Sequence, residues 1–473
     1  MPSYGKVTPA VVKELEAIVG AANLSTRLEE LICYSRDSTI YVYSPDVVVR
    51  PAATEQVSSI LKLANSLRIP VTPRGAGTSC AGSPLPVAGG ILLDMAGMNR
   101  VLSVDLDNQM VVVEPGVVCD DLNEQLMKQG FFFPPDPASS PACTIGGMVN
   151  TNAAGNRTIK YGSTRDFVLW LEVVLANGDV ITTGSKTLKS ASGYDLTRLI
   201  VGSEGSLGVV TKVGLKVIPV PESYATGLLL YDSVKDLAMA ATKIRRSGVI
   251  PEMLEFMDEK TTQAAFEYAG VKGLPKGNFL LVDCGGSKTD AAASLERCLQ
   301  ICQERNPSHV EKALDPEYRL KLIAARKAAL PALARLRPST IIEDCTVAPT
   351  SIPEAAAKVA GLPSRIAVEG FDMGNFGHIG DGNMHPTFIF DERVQEQRDA
   401  FQKALDILYY EIVLPMGGSV TGEHGIGIVR TKYIQDEHGP AVQVMRSIKQ
   451  LLDPNLILNP GKGKGGPILP EAS

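Results

Sequence analysis

The sequence of 473 residues lacks several features that would assign it to a simple class. None of its cysteines forms a Cys-x2-Cys pair, which argues against a zinc knuckle or an iron–sulfur cluster. A net charge of -6 gives no electrostatic reason to expect a nucleic-acid partner. Every apolar run in the sequence is far shorter than a transmembrane segment. No basic stretch followed by an apolar one occurs near the first residue, so we expect a cytoplasmic protein without a secretory signal.

The length of the chain predicts two or three domains, because one hydrophobic core rarely organises so many residues. A hydrophobic content of 44% and a charged content of 21% are typical of a globular protein. The proline cluster Pro219-Val220-Pro221 separates a region of short strands and glycine-rich loops from a region of longer alternating strands and helices. We therefore expect one domain over 1–219 and another over 220–473.

Local patterns predict several individual elements. Thr8-Pro9 is a good helix start, and Thr54 is expected to cap a helix with one apolar face. Asn177-Gly178 predicts a β-hairpin within 168–183. The second region is expected to form a sheet covered by helices on one side. Its predicted strands include 225–231, 252–257, 279–284, 341–347 and 366–376.

Glycine-rich stretches in the first region indicate a large ligand that lies against backbone. Residues 74–82 could hold a phosphate group, because glycines let backbone N–H groups approach oxygen atoms closely. A P-loop is excluded because no Gly-Lys-Ser/Thr follows, and a dinucleotide fingerprint would need a glycine where Cys80 stands. Further small residues occur at 144–147 and 202–208. The alternative is a set of tight structural loops.

Histidine is scarce, with five residues in the chain, and three of them lie in two short glycine-rich stretches, 377–386 and 422–425. Imidazoles and a carboxylate among glycines can hold a divalent metal and place a general base beside it. The alternative is that these are ordinary loop histidines. The His-x6-His pair followed by Glu-His favours a functional site.

These motifs, in this order, resemble the FAD-binding domain of the vanillyl-alcohol-oxidase superfamily. The C-terminal motifs resemble the FAD-linked 2-hydroxy-acid dehydrogenases, which include D-lactate dehydrogenases, glycolate oxidase large subunits and D-2-hydroxyglutarate dehydrogenases. The resemblance implies an α+β, two-domain flavoprotein. Its PCMH-type FAD-binding domain would span 1–219 with an N-terminal helical segment. An α+β ferredoxin-like substrate or cap domain would span 220–473, carry the metal site and return its C-terminal tail to the FAD-binding domain.

The resemblance also implies a set of FAD-binding residues, most of them small. Thr78 stands where some relatives carry a histidine that tethers the flavin, so we expect non-covalent FAD. The implied FAD-binding residues are Pro73, Arg74, Gly75, Ala76, Gly77, Thr78, Ser79, Gly82, Asp136, Pro137, Thr144, Gly146, Gly147, Asn152, Gly155, Glu204, Gly205, Gly208, Val210 and Asn459.

The implied reaction is oxidation of a small 2-hydroxy acid, of the D-lactate or glycolate type, to the 2-oxo acid by hydride transfer to flavin N5. Arg326 would pair with the substrate carboxylate. The implied metal ligands, for zinc, iron or manganese, are His378, His385 and Glu423. His424 would be the general base, because it could take the hydroxyl proton as hydride leaves. Asp344 is a further candidate acid near the metal.

Electrons must leave the reduced flavin for a separate acceptor, and the resemblance implies one such as an electron-transfer flavoprotein or an iron–sulfur subunit. Other relatives use cytochromes or quinones, some react with oxygen, and the sequence does not choose among these acceptors. Homo- and hetero-oligomers both stay open. Alternative functions are a D-2-hydroxyglutarate-type dehydrogenase, a non-catalytic FAD electron-transfer subunit and a metal-dependent hydrolase. Residues 326–335 resemble the glycolate and lactate members, which favours small acids. An accessory subunit would be expected to lose the His and Glu motifs, and a hydrolase leaves the glycine-rich stretches unexplained.

Overall fold

The computed structural model describes residues 3–463, so the predicted domain ends 1–2 and 464–473 lie outside the described residues. None of the helices in the described part combines the length and the apolar composition that a membrane crossing needs. In chain order the helices are α1 (Pro9–Val19), α2 (Leu28–Tyr34), α3 (Thr54–Leu67), α4 (Cys119–Met127), α5 (Ile145–Thr151), α6 (Thr158–Tyr161), α7 (Leu196–Ile200), α8 (Val234–Arg246), α9 (Glu259–Ala269), α10 (Lys288–Gln303), α11 (Pro316–Lys327), α12 (Ala329–Leu333), α13 (Ile352–Ala360), α14 (Leu362–Ile366), α15 (Gln395–Asp406), α16 (Ile434–His438) and α17 (Ala441–Leu452).

The strands of the described chain form several sheets. In chain order they are β1 (Leu24–Ser25), β2 (Val47–Val49), β3 (Val71–Arg74), β4 (Ile91–Asp94), β5 (Val101–Asp105), β6 (Met110–Val113), β7 (Phe131–Phe132), β8 (Val168–Val174), β9 (Val180–Gly184), β10 (Val209–Lys216), β11 (Ile218–Pro219), β12 (Ser223–Tyr231), β13 (Met253–Met257), β14 (Asn278–Gly286), β15 (His309–Ala313), β16 (Ser339–Ile342), β17 (Cys345–Thr346), β18 (Asp372–Gly377) and β19 (Asn383–Phe390).

The chain divides into two units, and each is built from separate stretches of sequence. Within the described residues, the first unit comprises 3–154, 163–220 and 423–463. The second unit comprises 155–162 and 221–422. The C-terminal stretch from residue 423 therefore folds with the N-terminal part of the chain, whereas the short helix α6 folds with the second unit.

The first unit contains a small mixed sheet and a five-stranded antiparallel sheet. Strands β2, β4 and β3 run parallel, with β1 antiparallel at the edge, and the second sheet has the order β5-β6-β10-β8-β9. The predicted hairpin is confirmed, since β8 and β9 pair with Val174 opposite Val180. Thr54 was wrong as a cap: α3 has Ala53 at its N-cap, and the Thr54 hydroxyl donates to Glu172 at 2.7 Å instead.

The second unit is an antiparallel sheet of order β15-β12-β14-β13-β18-β19-β16, with β17 paired to β19. The prediction of helices on one side only was wrong. A Cβ on Gly227 of β12 would lie 3.0 Å from Leu295 of α10, so α10 covers that face. The adjacent Thr226 points to the opposite face, where Asp283 binds Arg319 of α11. A strand buried over most of its length has both faces covered.

Two predicted strands of the second unit have different bounds in the structure. Residues 366–376 begin as the end of α14, and β18 starts only at Asp372. Ala367 has a φ of 53° and Gly370 a φ of +78°, and these left-handed positions turn the chain between the helix and the strand. Residues 341–347 are divided between β16 and β17. The apolar content of these segments did not predict where the strands begin and end.

Candidate functional site

The first glycine-rich stretch turns at the end of β3, beside the start of α5. A Cβ atom on Gly75 would lie 2.3 Å from Oγ1 of Thr144, so only glycine fits there. Gly77 has a φ of +75°, and a Cβ there would lie 2.1 Å from Nη2 of Arg74. The Arg74 guanidinium donates to the carbonyl oxygen of Arg36 at 2.8 Å. The loop backbone is therefore held close to a second predicted FAD-binding residue, Thr144.

The structure explains why the predicted motif at 144–147 contains threonine and glycine. Oγ1 of Thr144 accepts the N–H of Gly147 at 3.2 Å, so Thr144 caps α5. A Cβ on Gly146 would lie 2.5 Å from Cβ of Pro115, and glycine permits this close approach. The cap and the close packing fix the start of α5 beside the first glycine-rich loop.

Glu204 joins the later glycine-rich stretch to the C-terminal part of the same unit. Its side chain is buried, and its backbone has a φ of 55°. Oε1 accepts the N–H of Ile426 and Oε2 accepts the N–H of Gly427, both at 2.8 Å. Oε2 also accepts the hydroxyl of Ser83 at 3.0 Å. These donors compensate the burial of a carboxylate, and they fix the backbone immediately after His424.

Asn459 brings the C-terminal motif Asn459-Pro460-Gly461-Lys462 to the same loops. Its Nδ2 donates to the carbonyl oxygens of Glu204 at 2.6 Å and of Ser83 at 3.0 Å. Gly205 has a φ of +70°, and a Cβ there would lie 2.5 Å from Cγ of Pro73. Residues that the sequence predicts separately therefore lie in contact within the first unit. We refer to 73–83, 144–147 and 204–208 as the glycine loops.

Two charged residues at the glycine loops were not among the predicted site residues. Oδ2 of Asp37 accepts the N–H of Gly82 at 2.9 Å. Lys462 is almost fully buried, its Nζ donates to the carbonyl oxygen of Leu85 at 2.5 Å, and burial lowers its pKa to about 7. Lys462 is the last residue of the motif Asn459-Pro460-Gly461-Lys462, so the motif could have identified it. Asp37 lies in the stretch 34–44, which has no glycine or proline to single it out.

The other predicted FAD-binding residues lie at several places. Asn152 ends α5, and its Oδ1 accepts the N–H of Arg165 at 2.9 Å. Gly155 begins the stretch that folds with the second unit. A Cβ on Gly208 would lie 2.4 Å from Val173. Val210 is buried in β10. Ala76, Thr78 and Ser79 continue the first loop, and Asp136 and Pro137 lie in the connection between β7 and α5.

In the second unit a tight turn brings His378 and His385 together. His378 directly follows β18, and His385 lies in β19 opposite Phe376. Gly382 has a φ of +91°, and a Cβ there would lie 2.2 Å from the carbonyl oxygen of Val347, so the turn requires glycine. The two imidazole centroids are 5.3 Å apart, and both side chains are buried. The His-x6-His spacing therefore corresponds to the two sides of one β-hairpin.

Glu255 of β13 lies between His378 and Arg326, and the sequence analysis did not identify it. Its Oε2 is 2.8 Å from Nη2 of Arg326, and both of its carboxylate oxygens are 2.9 Å from Nδ1 of His378. Cζ of Arg326 lies 5.0 Å from the ring centroid of Phe376. An acid from β13, a cation from α11 and an imidazole from the turn after β18 thus meet. The available signal was one glutamate in the otherwise apolar strand Met253–Met257.

Asp344 is fully buried beside the second histidine. Its Oδ1 accepts Nδ2 of Asn383 at 2.6 Å. Its Oδ2 accepts the hydroxyl of Thr421 at 2.6 Å and the N–H of Gly422 at 2.8 Å. Nδ1 of His385 is 3.6 Å from Oδ1. Asp344 therefore connects the histidine hairpin to the backbone at Gly422. We refer to Glu255, Arg326, Asp344, His378 and His385 as the ionic cluster.

The predicted catalytic and metal-binding residues are divided between the two units. Arg326, His378 and His385 belong to the second unit. Glu423 and His424 begin the last stretch of the first unit, directly after the residue whose N–H binds Asp344.

Comparison with known proteins identifies the family. A family model described as the C-terminal domain of FAD linked oxidases matches residues 220–463, and an FAD binding domain model matches residues 45–184. The glycolate oxidase subunit GlcD of Bacillus subtilis (strain 168) is 39% identical over 460 residues, which cover 96% of this chain and 97% of that protein. The mitochondrial D-lactate dehydrogenase (cytochrome) of Arabidopsis thaliana is 36% identical over 468 residues, covering 97% of this chain and 81% of that protein.

Solved structures with low sequence identity share the fold. The 4-ethylphenol oxidase from Gulosibacter chungangensis superposes with a TM-score of 0.80 at 19% identity, covering 98% of this chain and 99% of that one. A p-cresol methylhydroxylase gives a TM-score of 0.78 at 18% identity, covering 97% and 98%. The expected vanillyl-alcohol-oxidase-type FAD-binding fold is confirmed, and the chain belongs to the FAD-linked oxidases as an FAD-dependent oxidoreductase.

Proposed function

We propose that this chain oxidises a small 2-hydroxy acid, of the glycolate or D-lactate type, to the 2-oxo acid with FAD and a divalent metal ion. The observation that carries the proposal is the buried ionic cluster, in which Arg326 lies 2.8 Å from Glu255 and Glu255 lies 2.9 Å from His378. Glu255 therefore lies between a cation that can bind a carboxylate and an imidazole. Relatives that match nearly the whole chain, named as a glycolate oxidase subunit and a D-lactate dehydrogenase, support the same substrate class.

Arg326 is the proposed anchor for the substrate carboxylate. Its guanidinium has five N–H donors in a planar fork, and Glu255 engages one end of it. The Phe376 ring lies against the guanidinium and restricts its orientation. A charge-assisted contact of this kind contributes about 1.5–3 kcal/mol and fixes the orientation of the bound acid.

The glycine loops are the proposed binding site for FAD, and their residues fit a long ligand with a pyrophosphate. Gly75 and Gly77 have no room for side chains, so backbone rather than side-chain atoms would face the ligand. Thr78 offers no imidazole for a covalent link, which supports non-covalent FAD. Bound FAD would supply the hydride acceptor for the reaction.

His378, His385 and Glu423 are the proposed metal ligands, and the donor set suits zinc, iron or manganese. The two imidazoles are neighbours, and the Nδ1 atom of His378 already lies against Glu255, so Nε2 is the nitrogen that would bind the ion. Glu423 follows Gly422, whose backbone is bound to Asp344 beside His385. A divalent ion there would lower the pKa of the substrate hydroxyl group.

His424 is the proposed general base. Its imidazole would take the hydroxyl proton while the hydrogen on the α-carbon leaves as hydride, a contribution typically of about 10²–10⁴-fold. The hydrogen bonds from Ile426 and Gly427 to Glu204 restrict the backbone that follows His424. The reduced flavin would pass its electrons to a separate protein, such as an electron-transfer flavoprotein or an iron–sulfur subunit.

Anaerobic reduction of the bound flavin tests this proposal. Metal-loaded protein is mixed separately with glycolate, D-lactate, L-lactate and D-2-hydroxyglutarate, and the oxidised-flavin absorbance is followed by stopped flow. We expect rapid bleaching with glycolate or D-lactate. Faster bleaching with D-2-hydroxyglutarate would replace the small acid with a larger one. A flavin that stays oxidised with all four acids would contradict the proposed reaction.

A further inference from the structure

Glu255 is a buried acid in the middle of an apolar strand, and such a position needs explanation. Its side chain is 1% exposed, and every residue of β13 is buried. An isolated carboxylate would be strongly destabilised there, so it must be compensated by charge and hydrogen bonds. The compensating groups are Arg326 and His378, two residues with proposed roles in the reaction.

The contacts come from three elements that are distant in sequence. Arg326 is in the last turn of α11, and His378 follows β18, 123 residues after Glu255. A single carboxylate lies 2.8 Å from the guanidinium and 2.9 Å from the imidazole. A change in the position of Glu255 would therefore move both partners together.

We propose that Glu255 is a positioning residue shared by the metal site and the carboxylate anchor. This inference rests on the proposed function and adds a residue to it. A carboxylate at Nδ1 of a histidine fixes the tautomer and the ring orientation, so that Nε2 points to the metal as a stronger donor. The same carboxylate holds one end of the Arg326 guanidinium, so that the other N–H groups keep a fixed direction for the substrate.

The neighbouring strand offers a matched comparison. Asp283 of β14 is also fully buried and binds Arg319 of α11 through two contacts, Nε to Oδ1 at 2.9 Å and Nη2 to Oδ2 at 2.6 Å. The two pairs share the sheet and the helix, and both join a buried acid to an arginine. Among the described residues, the carboxylate of Asp283 contacts Thr226 and Arg319, whereas that of Glu255 contacts the proposed metal ligand His378. The two acids therefore separate a positioning role from a purely structural one.

The test compares Glu255→Gln with Asp283→Asn. Zinc affinity is measured on metal-stripped protein by competition with a chromogenic chelator, with FAD content and thermal unfolding recorded for both variants. We expect Glu255→Gln to bind zinc about 10- to 100-fold more weakly than wild type, the usual effect of losing such a carboxylate. We expect Asp283→Asn to stay within about twofold of wild type, because it alters no group near the histidines.

A second measurement, KM for the substrate, tests the role of Glu255 in holding Arg326. At saturating zinc, KM for the 2-hydroxy acid should rise by about tenfold or more in Glu255→Gln and much less in Asp283→Asn. If Glu255→Gln fails to fold, Glu255→Met combined with Arg326→Met removes both charges with similar volume, a replacement that buried ion pairs often tolerate. That double variant should show the same loss of zinc affinity.

The outcomes separate this inference from the proposed function. Wild-type zinc affinity in folded Glu255→Gln, or an equal loss in Asp283→Asn, would overturn the positioning role while leaving the proposed function intact. Weakened zinc binding confined to Glu255→Gln, in a protein that no 2-hydroxy acid reduces, would support Glu255 and contradict the proposed substrate. A wild-type protein that binds no zinc, iron or manganese would overturn both.

Discussion

The glycine loops and the ionic cluster are two different ways of making a site. In the glycine loops, side chains are absent where the backbone packs closely. A Cβ on Gly75 would lie 2.3 Å from a neighbouring atom, and a Cβ on Gly205 would lie 2.5 Å from one. In the ionic cluster the chain places charged side chains on buried strands and helices, where another charge or hydrogen bonds compensate them, as in Glu255–Arg326 and at Asp344. The first type of site depends on shape and the second on electrostatics and orientation.

The difference predicts how each region fails. A substitution in the glycine loops should displace backbone and weaken FAD binding, with the metal site retained. A substitution in the ionic cluster should leave FAD bound and remove metal, substrate binding or turnover. Each of the following variants tests that separation.

The largest effect is expected from His385→Ala. The variant removes a proposed metal ligand from β19, so metal content and flavin reduction should fall together, by about 10³-fold or more in rate if the metal is essential. FAD content should stay at the wild-type level. Elemental analysis and anaerobic stopped flow on the same preparation measure both. His309→Ala, in the edge strand β15, is the control and should retain both. Wild-type metal content in His385→Ala would show that His385 is not a ligand.

Arg326→Lys should have the next largest effect. Lysine keeps the positive charge but cannot present the planar fork, so kcat/KM should fall by about 10- to 150-fold, mostly through KM. Arg319→Lys changes the neighbouring buried pair in the same way and should change kcat/KM by less than about threefold. Steady-state kinetics with an artificial electron acceptor provide the measurement. Equal losses in the two variants would mean that Arg326 acts only through stability.

Gly75→Ala tests the glycine loops. The added methyl group would lie 2.3 Å from Oγ1 of Thr144, so the loop must move, and we expect FAD affinity to fall by about tenfold. Gly97→Ala is the control, because its nearest neighbour would be 4.0 Å away. Titration of FAD into deflavinated protein measures the affinity. Intact FAD binding in Gly75→Ala, or lost zinc binding, would break the proposed separation of the two regions.

The smallest effect on turnover is expected at Asp258, a partly buried acid outside the ionic cluster. It caps α9 by accepting the N–H of Thr261 at 2.8 Å, and burial raises its pKa to about 6. Because the folded-state pKa lies above the unfolded value, its contribution to stability is present below about pH 4 and is lost as pH rises through about 6.

Asp258→Asn should therefore gain stability relative to wild type between pH 4 and 6, by about 1 kcal/mol per pH unit at most. Urea unfolding at several pH values measures the difference. Turnover at the pH of the assay should change little. A stability difference that does not vary between pH 4 and 7 would contradict the raised pKa.

Sequence patterns correctly predicted secondary structure where neighbouring residues alone determine it. The hairpin at Asn177-Gly178 is such a case, because Gly178 has a φ of +85° and the turn itself requires that residue. The start of the strand expected at 366–376 was wrong, because β18 begins at Asp372 and apolar content does not reveal a left-handed residue such as Ala367. Thr54 has the residue type of a cap, but Glu172, which is distant in sequence, binds its hydroxyl.

The same distinction applies to the candidate site. His378 and His385 could be grouped from sequence because one hairpin carries both of them. Glu255 could not be assigned, because its partners are far along the chain. The pairing of β13 with β18 brings His378 close, and the packing of α11 brings Arg326. The glycine motifs were easier to identify, since a steric requirement leaves a residue type at a fixed position.

The central claim is the proposal that a divalent metal ion held by His378, His385 and Glu423 is needed for chemistry but not for holding FAD. The most direct test is to strip the protein of metal with a chelator, verify its FAD content, and mix it anaerobically with the acid that reduces the untreated protein fastest. We predict that the stripped protein keeps its FAD, that the flavin stays oxidised, and that adding back zinc, iron or manganese restores bleaching. Bleaching of the stripped protein at the rate of the reloaded protein would contradict the account.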